Sequence, residues 1–323
     1  MYKIVFFNHY HRGDIFTHRE FIRHLTIQLP NVEFLYLHFN HPKLTRDLGI
    51  PCIGAPNKLD HHTKFYIDED KKILYVNTWG GCDASIMNKN KGLNLHSLYD
   101  QWHEIFSFIS KKLNQDIFVY TDKEDYLPVM DFNYFDVTQI DQYLQSALGK
   151  KRVLICNGAP KSGQSFLYNM ETFIKEAADN FPIIDFICTQ KFEKTQNNIL
   201  FTDDLIGDTE AADKRAPWED KDLNICDLPE ISYLSEHCDL IVGKNSGPST
   251  FCETHANYMN PNKHFISYVV RWNSGNIDSE SLSYNLKLEC KYEKILIEHR
   301  DPLSEKDIIT IRTSLNNALN LLS

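Results

Sequence analysis

Short apolar runs of strand length recur along this chain, each followed by a polar loop and a helix-patterned segment, and this alternation decides most of what it can fold into. Lys3 to Asn8 reads as a buried strand, and residues 13–29 place Phe21, Ile22, Leu25 and Leu29 on one helical face before Pro30 stops the helix. A second apolar run, 32–39, is followed by Pro42 and by Gly49-Ile50-Pro51, which leads into another short strand. Residues 73–76 predict a strand, Trp79-Gly80-Gly81 a tight loop, 93–113 a long amphipathic helix and 117–120 one more strand. A helix over 137–148 ends at Gly149, and Lys150-Lys151-Arg152 then steps into the strongly apolar Val153-Leu154-Ile155-Cys156. A domain boundary is expected there.

Beyond it the alternation restarts. Strands are expected at 153–156, 183–188, 198–202, 239–242 and 264–270, and helices at 165–180, 228–237, 249–258 and 304–322. Strands and helices alternating at this spacing predict parallel sheets with helices on both faces, in two Rossmann-like domains.

Composition narrows the function classes. At 323 residues, with 42% hydrophobic and 24% charged residues, the chain can bury a sizeable core in each half. The net charge of −10, with no basic cluster, argues against a nucleic-acid partner. No run of about 18 apolar residues is present to span a bilayer, and the N-terminal apolar run is too short for a secretory signal, so a cytoplasmic location is expected. The eight cysteines contain no Cys-x-x-Cys, and the histidines form no His-x-x-x-His pair with an intervening Glu. Neither a disulfide framework nor a metal site is expected.

In open parallel sheets, ligands bind at the carboxyl ends of strands. Two loops of the second half stand at such ends. One runs Gly243-Lys244-Asn245-Ser246-Gly247-Pro248-Ser249-Thr250, with Gly247 for a tight turn and close approach, Pro248 suited to a first helical position, and hydroxyls beside a positive helix end. The other is Asn157-Gly158-Ala159-Pro160-Lys161-Ser162-Gly163-Gln164-Ser165. Both suit a diphosphate, although neither is a Walker or Gly-x-Gly-x-x-Gly pattern. An N-cap and a Pro that merely start a helix explain the first loop equally well.

The run Asp227-Leu228-Pro229-Glu230-Ile231-Ser232-Tyr233-Leu234-Ser235, followed by Cys238-Asp239-Leu240-Ile241-Val242-Gly243-Lys244-Asn245-Ser246-Gly247-Pro248, resembles the C-terminal signature of the heptosyltransferase-like glycosyltransferases of the GT-B fold. That family has a Leu-x-Glu helix, an Ala-Asp-Leu-Val-Val strand and an Asp-Ser-Gly-Pro loop in this order. Gly13-Asp14 after the first strand is similar to the family's N-terminal Gly-Asp pair. Asn245 stands where the family usually has Asp, and Thr250 where it usually has His.

The resemblance implies two Rossmann-like domains facing across a cleft: an acceptor-binding domain over 1–149, a nucleotide-sugar-binding domain over 150–303, and a helix over 304–323 returning toward the first. It further implies a hexosyl- or heptosyltransferase acting on a bacterial surface glycan, capsule or lipopolysaccharide, with a nucleotide-diphosphate sugar as co-substrate, no cofactor, and room for a peripheral inner-membrane contact. Transfer would be metal-independent and inverting, with Asp14 as general base and His11 as an alternative. Asn157, Gly158, Lys161, Ser162, Lys244, Asn245, Ser246, Gly247, Pro248, Ser249 and Thr250 would hold the donor. Asp227 and Glu230 would accept from its ribose, although their spacing also fits a helix cap. Arg12 and His18 would orient the acceptor, while Trp79 and Trp272 offer rings that stack on sugars or bases, or pack as ordinary turns. Two other readings are a non-hydrolysing nucleotide-sugar epimerase and a catalytically inactive nucleotide- or glycan-binding protein of the same fold.

Overall fold

A computed structural model describes residues 2–9, 12–38, 42–54, 59–90, 93–158, 170–206, 226–244, 246–270, 282–283, 285–297 and 303–323. The chain divides into two compact units: Met1–Tyr134 with Glu210–Cys226 and Ser279–Lys287, and Phe135–Thr209 with Asp227–Asp278 and Leu288–Ser323. Single bonds show why sequence neighbours part company. The Lys43 ammonium donates to the Cys226 carbonyl at 3.0 Å, and the Lys287 amide donates to Glu124, which ties both residues to the first unit.

The first unit carries β1 (Lys3–Asn8), β2 (Phe34–His38), β3 (Cys52–Ile53), β4 (Phe65–Asp68) and β5 (Ile73–Asn77) in the order β3-β2-β1-β5-β4. All pairings are parallel except β4 with β5. That antiparallel strand was not expected from the sequence. Its hairpin turns through Lys72 at φ 55°, with the Asp68 carboxylate accepting from the Lys71 amide, where no glycine marks the turn. The helices are α1 (Arg12–Thr17), α2 (Arg19–Gln28), α3 (Ala84–Lys89) and α4 (Leu95–Leu113). Asn94 and Ser97 form a capping box at the start of α4, and Asn114 in the left-handed region ends it.

Side chains alternate across the first sheet. Phe6 meets Trp102 of α4, which stacks on Phe21 of α2 (centroids 5.4 Å), and Phe21 stacks in turn on Tyr126 (4.2 Å). Val5, Phe7 and Leu37 pack on the opposite face beneath Leu59, Tyr66 and Tyr75. The strand expected at 117–120 does not form. Its backbone bonds to side chains instead: Gln28 accepts from the Phe118 amide and donates to the Phe118 carbonyl, and Tyr126 accepts from the Tyr120 amide.

The second unit carries α5 (Thr138–Ser146), β6 (Lys151–Cys156), α6 (Glu171–Asn180), β7 (Ile184–Cys188), β8 (Ile199–Phe201), α7 (Thr202–Ile206), α8 (Leu228–Glu236), β9 (Leu240–Lys244), α9 (Gly247–Phe251), α10 (His255–Tyr258), β10 (His264–Val270), β11 (Lys291–Ile297) and α11 (Glu305–Asn320). Its six strands are all parallel in the order β11-β10-β9-β6-β7-β8. Numbered within the unit, this is the 3-2-1-4-5-6 order of the Rossmann fold.

The helix expected over 249–258 is two short ones, because the Thr254 side chain breaks the run and caps α10 through the Asn257 amide. The change of unit falls before α5, ahead of Gly149. Tyr143 and Lys150 donate to the buried Asp185 of β7 (2.9 and 2.8 Å), and Asp141 accepts from Tyr233 of α8 (2.6 Å), so α5 is bonded into the second unit. The C-terminal helix α11 lays Ile311, Leu315, Ala318 and Leu319 on the core of the second unit with Ile174 of α6, and Arg312 pairs with Glu176. No helix among the described residues is long and apolar enough to cross a membrane.

Candidate functional site

In a parallel sheet the strand order reverses direction at one point, and the loops leaving the two strands there diverge to leave a crevice. In the second unit that point lies between β6 and β9, so the loops at its two sides are the two singled out in the sequence. Leaving β6, Asn157 accepts from the Gln190 amide and donates to the Gln190 carbonyl, both at 2.9 Å, which clasps the β6 loop to the end of β7. The neighbouring Gly158 leaves ordinary space around its Cα. Leaving β9, Ser246 is the N-cap of α9 and its hydroxyl accepts from the Ser249 amide.

Two glycines here differ in kind. A Cβ on Gly243 would stand 2.9 Å from the Ser249 hydroxyl and 3.3 Å from Cys156 Cβ, so its bareness is what lets α9 start close against β6 and β9. Gly247 has no positive φ, and among the described residues beyond its own helix turn Leu228, at 3.9 Å, is the nearest to an added Cβ. The packing of the chain itself therefore demands a bare residue at Gly243, while the backbone conformation of Gly247, at the start of α9, does not.

In the first unit the reversal lies between β1 and β5. The ends of these strands are stitched beyond their ladder. Asn8 donates to the Thr78 carbonyl (3.0 Å), and the Thr78 amide and hydroxyl both donate to the Phe7 carbonyl (2.9 and 3.2 Å). With that hydroxyl committed as donor, the Tyr36 phenol donates to it at 2.5 Å. Asp14 sits in the first turn of α1, 8% exposed, where the helix's unpaired amides favour an anion. Burial pushes the Tyr36 phenol and the Cys82 thiol upward, the latter to about 12, and the Asp14 charge adds a minor push in the same direction. Asp14 thus lies within electrostatic reach of Tyr36 in β2 and of Cys82 beyond β5.

Over nearly its whole length the chain is similar in fold to solved structures. A glycosyl transferase family 9 protein from Veillonella parvula is similar over 99% of this chain and 97% of its own, with 10% identity and a TM-score of 0.51. The chain has the fold of the GT-B glycosyltransferases. Two E. coli structures are similar as well: ADP-heptose lps heptosyltransferase II (10% identity, 99% of both chains, TM-score 0.48) and heptosyltransferase WaaC with ADP-2-deoxy-2-fluoro heptose (7%, 98% and 99%, 0.49). No protein-family model and no curated protein matches the sequence.

Against this fold, the individual residues sort unevenly. Arg12 opens α1, half-buried, two residues before Asp14. His18 does not face an acceptor. It lies fully buried at the break between α1 and α2, its Nδ1 accepts from the Trp102 indole N–H at 2.8 Å, and burial pulls its pKa down to about 3. The ring is therefore neutral, with its proton on Nε2.

Asp227 occupies the N-cap position of α8 without its side chain bonding the first amides, so the capping-box spacing with Glu230 is not realised as a cap. Glu230 is 1% exposed, which leaves no open route to a ribose. Thr250 spends its hydroxyl on the Ser246 carbonyl (3.1 Å). Pro248 and Ser249 fill the first turn of α9, half-buried. His11, Lys161, Ser162, Asn245, the side chain of Lys244 and the loop of Trp272 lie outside the described residues. Asn8 and Tyr36, ordinary strand residues, and Thr78, the residue after β5, carried no signal in the sequence: their bonds appear only when β1, β2 and β5 are laid side by side.

Proposed function

We propose that the chain is a glycosyltransferase that moves a sugar from a nucleotide-diphosphate sugar to a bacterial surface-glycan acceptor, of capsule or lipopolysaccharide type, with inversion and without a metal. The observation that carries this reading is the Rossmann strand order of the second unit, with small, hydroxyl-rich loops leaving β6 and β9 at its reversal point. The whole-length fold likeness to a glycosyl transferase supports it.

In the reaction so read, the acceptor oxygen forms its bond to the anomeric carbon while the bond from that carbon to the diphosphate oxygen breaks. The acceptor's hydroxyl proton passes to the Asp14 carboxylate. The leaving diphosphate is stabilised by the Lys244 ammonium, the hydroxyls of Ser246 and Ser249 and the Gly247 amide at the start of α9, in place of a cation. Lys161 and Asn245 would add to this grip.

Thermal unfolding against a panel of nucleoside diphosphates and nucleotide sugars tests the donor half, because a ligand of the native state raises the melting temperature with its concentration. One nucleotide family is expected to give a shift that Lys244→Ala and Gly247→Val abolish. Gly247 suits this purpose because its Cβ position is open, so Val obstructs a ligand without crowding the chain. No shift with any nucleotide would overturn the reading.

A further inference from the structure

Four ring side chains meet at the carboxyl ends of β1 and β5. His9 follows β1, Trp79 follows β5, and His61 and His62 come from the segment before β4. The His61 ring lies 6.2 Å from His9 and 4.0 Å from His62, and both His61 and His62 stand edge-on to Trp79 at 5.8 Å. Trp79, His61 and His9 are half-buried and His62 is exposed, so this is not core.

The fold nevertheless holds it firmly. Asn77, 1% exposed, donates to the carbonyls of His61 (2.7 Å) and Thr63 (3.1 Å) and accepts from the Trp79 amide (2.9 Å). The Asp60 carboxylate accepts from the His62 amide and the Thr63 hydroxyl. Leu59 anchors the same segment on Val5, Phe7 and Leu37. The indole lies flat against Gly81, where an added Cβ would be 2.5 Å from the ring. A buried amide, an Asx turn and a glycine are thus committed to orienting rings that remain partly open to solvent, at the strand-order reversal where such sheets bind ligands.

The chemistry of the cluster selects the ligand. An indole face takes the C–H face of a sugar ring, and neutral imidazoles both donate to and accept from hydroxyls. His9 is kept toward the neutral form by burial and by His61 beside it. Among the described residues of this segment, Lys64 is paired with Asp83 and Glu104, so its charge is already matched. Among the described residues no three His, Cys, Asp or Glu side chains come together as a metal site. We infer that Trp79, flanked by His9, His61 and His62, is the stacking platform for an uncharged pyranose ring of the acceptor glycan. This rests on the glycosyltransferase reading and deepens it by naming the acceptor's chemical class.

Saturation-transfer NMR on the full chain, with a panel of neutral methyl pyranosides and methyl glucuronide as the charged control, tests the assignment. A neutral pyranoside is expected to receive saturation on the C–H protons of one ring face. Its affinity should fall about ten-fold or more in Trp79→Ala and be largely kept in Trp79→Tyr, which retains a ring. His62→Ala, at an exposed position, should weaken binding with an unchanged melting temperature and so covers the case in which Trp79→Ala does not fold. Gly247→Val should leave the pyranoside signal intact. If nucleotides bind but no pyranoside signal depends on Trp79, or only the glucuronide binds, the platform assignment is overturned and the donor reading survives. If neither nucleotide nor pyranoside binds, both fall.

Discussion

The two units place loops of opposite character at the same topological point. At the reversal in the first, between β1 and β5, stand a nearly buried carboxylate and a set of imidazole and indole rings; at the reversal in the second, between β6 and β9, stand glycines, serines and backbone amides. One edge is rich in groups that exchange protons and grip ring faces, the other in fixed dipoles that hold charge without titrating. Strand order fixes where each pair of loops diverges, while in the proposed reaction the chemistry of those loops would divide catalysis from anchoring.

The largest effect expected from breaking this division is at Asp14. Asp14→Asn should lower kcat by about 10²- to 10⁴-fold while leaving the nucleotide-induced rise in melting temperature unchanged. Unaltered turnover would remove proton transfer from the first unit's edge.

His18 sharpens the boundary between that edge and the core behind it. Its folded pKa of about 3 lies below the ordinary value of 6.5, so between these pH values the unfolded chain binds a proton that the folded chain refuses. Its contribution to stability is constant above pH 6.5 and is lost as pH falls from there toward 3, at up to about 1.4 kcal/mol per pH unit. Denaturant unfolding from pH 7 to 4 should show a shallower decline in His18→Gln than in the parent chain. Equal slopes would mean that the ring is not buried neutral.

In the second unit, Gly243→Val should cost about 1–3 kcal/mol, since even the first added carbon meets Ser249 and Cys156. Gly247→Val should cost much less, and calorimetry of the two variants side by side checks the contrast. The smallest change is expected for Thr250→Val, with about 1 kcal/mol or less of stability lost and nucleotide affinity kept, because the hydroxyl is engaged by Ser246. A marked loss of affinity in Thr250→Val, measured by titration, would restore that side chain to the donor site.

Much of the fold was legible in the sequence. Where one run was apolar on both faces, as in Val153-Leu154-Ile155-Cys156, burial on both sides of a parallel sheet left little alternative. The elements that escaped were those with mixed patterns. β11 reads Lys-Tyr-Glu-Lys-Ile-Leu-Ile because it is an edge strand with one neighbour, and β4 borrows its strand character from pairing with β5. The boundary before α5 was hidden because Tyr143, Lys150 and Asp185 look unremarkable until a helix and a strand far apart in sequence are bonded.

The candidate site divides in the same way. Ser246, Pro248 and Asp14 carried local signals, a cap, a helix start and an acidic first turn, that depend only on neighbours in the chain. His18 carried a misleading one, because a polar loop residue and a core residue are indistinguishable until Trp102 arrives from 84 residues away. By itself the sequence determined the alternation of strands and helices and the small-residue loops, since periodicity and turn chemistry act over a few residues. Only the tertiary structure decided which strands adjoin, and hence which loops flank each reversal, that the packing around Gly243 requires it to be bare, and that His9, His61, His62 and Trp79 share one edge. Those outcomes are set by contacts between segments that no local pattern connects.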